Sequence, residues 1–151
     1  MTTGAVTKQA FIYNYLNSVE FDGLYGAVSR LYLAYFSRQP DLSGLLYWSS
    51  QLTASGSLDS VSNAFATSQE FVDRYGALTN SQFVTLVYTN ILRRSPDSAG
   101  LNFWVGQLGS GTTRGKMMAQ FSESAEYRAL VRPDVTTTLI YLGMLRRQPD
   151  T

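Results

Sequence analysis

The 151-residue sequence contains no cysteine and no histidine. The absence of cysteine excludes disulfides and thiol nucleophiles, and it is compatible with an exported protein that does not rely on oxidative folding. The absence of histidine removes the most common general base and the most common transition-metal ligand. The sequence therefore predicts no histidine-activated nucleophile, no ordinary metal site and no cofactor.

Charged residues are also scarce. They make up 15% of the sequence, and only Lys8 and Lys116 of the 12 basic residues are lysines. An average soluble domain has roughly 25% charged residues. The formal net charge is +1, which is not the charge distribution of a nucleic-acid-binding protein. We expect no nucleic-acid partner.

Long apolar runs are missing as well. No stretch approaches the roughly 20 apolar residues of a membrane span, so we do not expect a membrane-spanning chain. The start, MTTGAVTKQAFIYNYL, has neither the basic segment nor the clean apolar run of an N-terminal secretion signal. If the protein is exported, another route must carry it. Hydrophobic residues nevertheless make up 44% of the chain, enough for the core of a single domain.

What the sequence does contain is an internal repeat. The motif R-x-P-D begins at Arg38, Arg94 and Arg147, with 53 to 56 residues between successive copies. A second motif, S-x-E-F/Y, occupies residues 18–21, 68–71 and 124–127. Measured from the arginine, six further positions carry the same residue in the first two copies. They are Tyr32 and Tyr88, Gly44 and Gly100, Leu45 and Leu101, Trp48 and Trp104, Gln51 and Gln107, and Phe65 and Phe121.

These motifs divide residues 1–151 into four parts. They are a partial repeat (1–21), two full repeats (22–76 and 77–131) and the start of a further repeat (132–151). Apolar residues recur at helical spacing, and no alternating strand pattern of useful length occurs. The sequence therefore predicts a single all-α domain, a helical bundle built from tandem four-helix repeats of about 55 residues with no sheet.

The R-x-P-D motif predicts a corner between two helices. The residue before a proline disfavours the α conformation, so the first helix should end near it. Asp41 and Asp97 are placed to cap the second helix, and Gly44 and Gly100 should let two helix backbones pass closely. The alternative for the aspartates is calcium binding. A calcium loop needs several carboxylates, however, and each repeat supplies one.

The S-x-E motif predicts the start of a short fourth helix. Its serine can cap the helix, and Glu70 and Glu126 stand favourably in the first turn. The four glutamates of the chain are Glu20, Glu70, Glu123 and Glu126. A glycosidase needs two carboxylates that face each other across a cleft, whereas three of these belong to the repeated motif. We therefore expect no enzymatic activity.

The tryptophans allow two interpretations. An exposed aromatic face is a common contact for sugars, and Trp48 and Trp104 are equivalent. Each of them, however, shares a helix face with two leucines. This pattern favours a place in the core.

Tyr47 and Phe103 directly precede the tryptophans and point away from the core stripe. Gln51 and Gln107 follow them one helical turn later. An exposed aromatic ring beside an amide could stack on a sugar ring and form hydrogen bonds to it. Helix–helix packing within the repeat is the favoured interpretation, because such aromatics are often buried. The aromatic–amide pair is nevertheless the best candidate contact for a small ligand.

Arg38 and Arg94 also allow two interpretations. Either arginine could pair with a carboxylate of the next repeat, or it could grip an anionic sugar. Because the arginine recurs at a fixed place in the repeat, an ion pair within the protein is favoured over a contact with a sugar. Both residues remain candidate ligand contacts together with Tyr47, Gln51, Phe103 and Gln107.

The combination R-x-P-D-x-x-G-L-x-x-W, then Q-L, a Gly-containing loop and S-x-E-F, resembles the bacterial family of domains of unknown function numbered 4214. The resemblance covers nearly all of residues 20–151, with mild departures at Arg114, where the first repeat has Leu58, and in the shorter loop after Leu108. It implies a module of large secreted or cell-surface proteins. Such modules often accompany calcium-binding repeat regions, and their parent proteins often use type I export. The fold is similar to phycobilisome linker domains and to the lipopolysaccharide-anchoring helical part of some S-layer proteins.

The resemblance implies a non-catalytic role and supplies no catalytic residues. We expect an extracellular or cell-surface module that binds surface polysaccharide or lipopolysaccharide, or that anchors or adheres its parent protein to the envelope. The alternative is a protein–protein assembly module, such as a linker or S-layer lattice domain, whose partners are other copies or domains of a surface protein.

Overall fold

The structure is a computed structural model that describes residues 14–15 and 18–142. The third R-x-P-D motif, which starts at Arg147, and most of the partial repeat 1–21 lie outside the described residues. No strand occurs in the described ranges, and the predicted all-α repeat bundle is confirmed. Eight helices follow one another within residues 18–142. They are α1 (Val19–Phe21, a π-helical turn Asp22–Gly26, then Ala27–Phe36), α2 (Leu42–Ser55), α3 (Leu58–Ala66), α4 (Gln69–Tyr75), α5 (Asn80–Val87, then a π-helical turn Tyr88–Leu92), α6 (Ser98–Gly109), α7 (Arg114–Ser122) and α8 (Ala125–Ile140).

Every one of these eight helices begins with a side-chain cap. The capping oxygen accepts a backbone N–H three residues later, which satisfies one of the unpaired donors at a helix start. At Thr79 the cap is reciprocal, because the Gln82 side chain accepts the Thr79 N–H at 2.8 Å. The caps are Ser18, Asp41, Ser57, Ser68, Thr79, Asp97, Thr113 and Ser124.

The helices that lead into the two described R-x-P-D corners end earlier than the prolines require. α1 ends at Phe36 because Ser37 is left-handed (φ 50°), and α5 with its π-helical turn ends at Leu92 because Arg93 is left-handed (φ 52°). Neither residue is a glycine, so this stop is not visible in the sequence. Each corner is therefore set by a left-handed residue that precedes the motif arginine.

Neighbouring repeats share helices. α8 runs without a break from the Ser124 cap through Pro133 to Ile140, and α1 runs from the Ser18 cap to Phe36. The predicted repeat boundaries, after residues 21 and 131, therefore lie inside helices. Gly76 (φ 67°) is different, because it ends α4 and separates it from α5.

The two full repeats bury one common core. α3 and α7, the third helices of the two repeats, pack against each other at Gly115, whose N–H donates to the Asn63 Oδ1 at 3.1 Å. A Cβ at residue 115 would overlap the Asn63 backbone, so only glycine fits there. Tyr35 is fully buried and its hydroxyl bonds the Ser62 carbonyl at 2.9 Å. The largest fully buried side chains come from both repeats and include Leu31, Tyr35, Phe65, Phe83, Ile91, Met117 and Met118.

Candidate functional site

The first R-x-P-D corner joins α1 to α2. Asp41 caps α2, because its Oδ1 accepts the Gly44 N–H at 2.6 Å and the Ser43 hydroxyl at 2.7 Å. The hydrogen bond from Gly44 lowers the pKa of the Asp41 carboxyl. In the described part of the chain, no group of three or more Asp, Glu, His or Cys side chains is placed to hold a metal ion. The two hydrogen bonds to Asp41 confirm its predicted place as the cap of α2.

The repeated glycine makes room for a tyrosine hydroxyl. A Cβ at Gly44 would lie 2.5 Å from the Tyr32 hydroxyl oxygen, and a Cβ at Gly100 would lie 2.6 Å from the Tyr88 hydroxyl oxygen. The expectation that two helix backbones approach here was wrong, because the approaching group is a side chain. The tyrosine before each motif arginine and the glycine after it form one contact.

Arg38 closes the first corner. Its guanidinium carbon lies 5.0 Å from the centre of the Tyr32 ring. Its Nε and Nη2 donate to the two Glu70 carboxylate oxygens, each at 2.7 Å. This hydrogen bonding raises the pKa of Arg38 and lowers the pKa of Glu70. The partner belongs to the S-x-E motif of the same repeat, and not to the next repeat as we expected.

The second corner repeats this geometry but not the ion pair. Asp97 caps α6 through the Gly100 N–H at 2.7 Å, and the Arg94 guanidinium carbon lies 5.3 Å from the centre of the Tyr88 ring. Glu126 is the counterpart of Glu70. Among the described residues, however, Arg94 and Glu126 form neither a hydrogen bond nor an ion pair with each other. Within this part of the chain, no carboxylate engages the donors of the Arg94 guanidinium.

The aromatic residues before the tryptophans lie on the surface. Tyr47 and Phe103 are both 56% exposed, and each ring meets the neighbouring tryptophan edge to face, at 4.9 Å and 5.2 Å between centroids. Gln51 and Gln107 are exposed one turn further along. The structure thus brings each aromatic and its amide to one helix surface. The arginines belong instead to the corners.

Trp48 and Trp104 lie at the edge of the core. They are partly buried, and their rings pack against Phe65 at 4.9 Å and Phe121 at 5.3 Å between centroids. Each tryptophan therefore holds the exposed ring on one side and contacts the core on the other. This arrangement restricts the orientation of the exposed ring.

The two helices that carry these aromatics contain no charged residue. Residues 42–55 read LSGLLYWSSQLTAS, and residues 98–109 read SAGLNFWVGQLG. Because neither helix has a lysine, arginine, aspartate or glutamate, no long charged side chain on it must be ordered or desolvated when a ligand lies against the exposed rings. We call these two surfaces the aromatic faces of α2 and α6.

One cluster of charged side chains was not predicted from the sequence. Arg30 is buried on α1 (3% exposed) and donates to both Glu123 oxygens, at 2.6 and 2.7 Å, and to the Asp22 carboxylate at 2.7 Å. Burial opposes its charge, but the hydrogen bonds to Glu123 and Asp22 raise the pKa of Arg30. Arg128 also binds Asp22, at 2.6 Å. The only available signal was a single charge within the apolar run that ends α1.

A second feature that was not predicted is an apolar cavity of about 410 Å³ beside α2. Leu46, at its edge, is 51% exposed. The cavity is lined by Phe21 and Tyr25 of α1, Leu42, Leu45 and Leu46 of α2, and Leu139 and Leu142 at the end of α8.

No described helix is long and apolar enough to cross a membrane.

The fold and the corners define an all-α module of tandem repeats, each with an Arg–Tyr–Gly–Asp corner. The chain matches the family described as Domain of unknown function (DUF4214) twice, over residues 12–72 and 62–131, and it belongs to that family. The two matches overlap at the S-x-E motif that starts α4. No curated protein and no solved structure matches the chain.

Proposed function

We propose that this protein is a non-catalytic module that binds a surface polysaccharide or lipopolysaccharide through the aromatic faces of α2 and α6. The observation that carries the proposal is the paired exposure of Tyr47 and Phe103. Both rings occupy the same repeat position, both are 56% exposed, and both stand on helices without charge. An exposed ring in the same place twice is unlike the scattered single apolar residues of an ordinary surface.

The chemistry of each face suits a sugar. The ring offers a flat apolar surface to the C–H groups of a pyranose, and the adjacent Gln51 or Gln107 offers two donors and an acceptor to its hydroxyls. Trp48 and Trp104 hold the rings from one side. Little conformational entropy is lost when a ligand binds such a face.

The proposal is tested with a glycan array probed with the purified protein and with a Tyr47→Ala/Phe103→Ala variant. Leu130→Ala is the matched control, because Leu130 is also exposed (42%) but lies on α8. The proposal predicts saturable binding that the double variant loses and the control keeps. An array without binding, or equal binding by all three proteins, would contradict it.

The non-catalytic part has its own test. Glycans that bind should keep their length on prolonged incubation with the protein. Release of reducing ends that disappears when one of the four glutamates is replaced by glutamine would contradict this part, because glycoside hydrolysis depends on a carboxylate pair.

We also propose that the protein acts outside the cell or on the bacterial cell surface as part of a larger exported protein that uses type I export and carries calcium-binding repeats. What supports this proposal is the resemblance of the R-x-P-D and S-x-E motifs to modules of large secreted proteins. Fractionation of the native organism with an antibody against the module tests it, and recovery only from the cytoplasm would contradict it.

A second candidate function is assembly with other copies or domains of a surface protein, as in a linker or S-layer lattice. The apolar cavity with the exposed Leu46 at its edge favours it. Assembly predicts oligomers whose mass grows with concentration in light scattering and that Leu46→Asp disperses. A monomer at all concentrations would contradict this function without affecting glycan binding.

A further inference from the structure

The two R-x-P-D corners have equivalent parts but different charge balance. In the first corner Glu70 occupies both Nε and Nη2 of Arg38. In the second corner Glu126 stands at the same distance along the chain from Arg94, yet these two residues form no ion pair within the described structure. Among the described residues, no carboxylate therefore accepts a hydrogen bond from the Arg94 guanidinium in the second corner.

This guanidinium is nevertheless held in place. Its carbon lies 5.3 Å from the centre of the Tyr88 ring, which is itself 8% exposed and fixed against Gly100. A cation over an aromatic face keeps its N–H edge free for an in-plane partner. The first corner shows that this arrangement accepts a carboxylate side by side with the guanidinium.

The surroundings add further positive charge. The preceding residue in the second corner is Arg93, where the first corner has Ser37. Arg93 and Arg94 are both exposed. Two adjacent cations raise the local concentration of anions at this corner. The equivalent arginine of the first corner is neutralised.

We propose that Arg94 is a receptor for the carboxylate of an acidic sugar, so that the second repeat, and not the first, selects uronate-type glycans. The proposal rests on the proposed function, because it assumes that a glycan is the ligand. The ligand carboxylate takes the place at Arg94 that Glu70 takes at Arg38. A planar two-point contact of this kind distinguishes a carboxylate from its neutral ester.

The test compares an oligogalacturonate with the same oligomer fully methyl-esterified, using titration calorimetry at low salt. Arg94→Gln should lose at least about tenfold in affinity for the acid, the equivalent of one charge-assisted contact, and keep its affinity for the ester. Arg38→Gln is the matched control and should keep the preference for the acid. An unchanged preference in Arg94→Gln, or an equal loss in Arg38→Gln, would overturn the proposal.

Two further measurements separate the possible failures. Galacturonate should shift the Nε–Hε NMR signal of Arg94 and not that of Arg38, and Glu126→Gln should leave the acid affinity unchanged. A stronger affinity in Glu126→Gln would show that Glu126 occupies Arg94 in solution and would overturn the proposal. Tyr47→Ala/Phe103→Ala could leave ester binding unchanged while Arg94→Gln abolishes the preference for the acid. That result would contradict glycan binding by the aromatic faces and would support carboxylate binding by Arg94.

Discussion

The hydroxyl oxygen of Tyr32 lies 2.5 Å from where a Cβ of Gly44 would be, and the same contact recurs between Tyr88 and Gly100 at 2.6 Å. Twelve residues separate the members of each pair in the sequence. The contact couples the last turns of one helix to the first turn of the next. It explains why the repeat keeps both a tyrosine before the arginine and a glycine after the aspartate.

Replacement of this glycine should therefore destabilise the fold. Gly44→Ala places a methyl group against the buried Tyr32 hydroxyl, and we expect a loss of about 1 to 3 kcal/mol in the free energy of unfolding, the usual cost of overpacking. Urea denaturation followed by circular dichroism measures it. Combination with Tyr32→Phe, which removes the hydroxyl, should recover part of the loss.

Gly106→Ala is the control for that experiment. Gly106 lies inside α6, and a Cβ added there would meet no heavy atom within 4 Å. Alanine should therefore stabilise the protein by about 0.5 to 1 kcal/mol. Equal effects of Gly44→Ala and Gly106→Ala would show that the tyrosine contact has no energetic role.

The close packing of α3 against α7 should be even less tolerant. Gly115→Ala brings a Cβ into the Asn63 backbone, which cannot rotate away. We expect a loss of about 2 to 4 kcal/mol in the free energy of unfolding. Thermal unfolding by calorimetry measures the effect, and Gly109→Ala, which meets no neighbouring atom, is the matched control. A small effect at residue 115 would mean that the two third helices separate easily.

The buried Arg30 cluster should make a large contribution to the association of the repeats. Arg30→Met removes the buried cation that binds Glu123 of the second repeat, and it leaves Arg128 as the remaining partner of Asp22 and Glu123. We expect a loss of about 1.5 to 3 kcal/mol in the free energy of unfolding, the usual contribution of hydrogen bonds between charged groups. Lys116→Ala, at an exposed position, should change it by less than about 0.5 kcal/mol. Similar values for both variants would show that the cluster is dispensable.

The Arg38–Glu70 pair should make stability depend on pH. Because the pKa of Glu70 is lowered in the folded protein, the pair stabilises the fold above the ordinary carboxyl pKa of 4.5, and this contribution disappears as the pH falls through the lowered value. Glu70→Gln should therefore reduce the loss of stability between neutral pH and about pH 3. Denaturant titrations at a series of pH values measure the effect.

Glu126→Gln provides the comparison, because it removes the equivalent carboxylate without breaking an arginine pair. The same flattening of the pH profile in both variants would mean that the ion pair of the first corner is not the cause. The pair is exposed, so added salt should weaken its contribution.

The repeat, the helical class and the caps could be predicted because each depends on residues close together in the sequence. Asp41 and Ser68 cap their helices through N–H groups three residues away, and such contacts leave a local pattern. The pairing of Arg30 with Glu123 spans 93 residues, and no local pattern contains it. The stops at Ser37 and Arg93 were hidden as well, because the left-handed residues are not glycines.

The candidate site was only partly accessible for the same reason. The helical phase of Tyr47 and Phe103 places them off the core stripe, but the sequence favoured their burial by helix–helix packing. That interpretation was wrong, because both rings are 56% exposed. The sequence could not distinguish Arg38 from Arg94, because both stand in identical motifs. Only the three-dimensional structure separates an arginine bound to Glu70 from one that no described carboxylate engages.

The unbroken helix α8 determines how a pulling force would pass along the chain. Since α8 belongs to two successive repeats, drawing them apart requires its own backbone hydrogen bonds to break. The joint between α4 and α5 at Gly76 is different, because no helix continues through it and the repeats on its two sides are held together by side chains of their common core. A module pulled from both ends would therefore be held by side-chain packing at Gly76 and by the backbone of a single helix along α8.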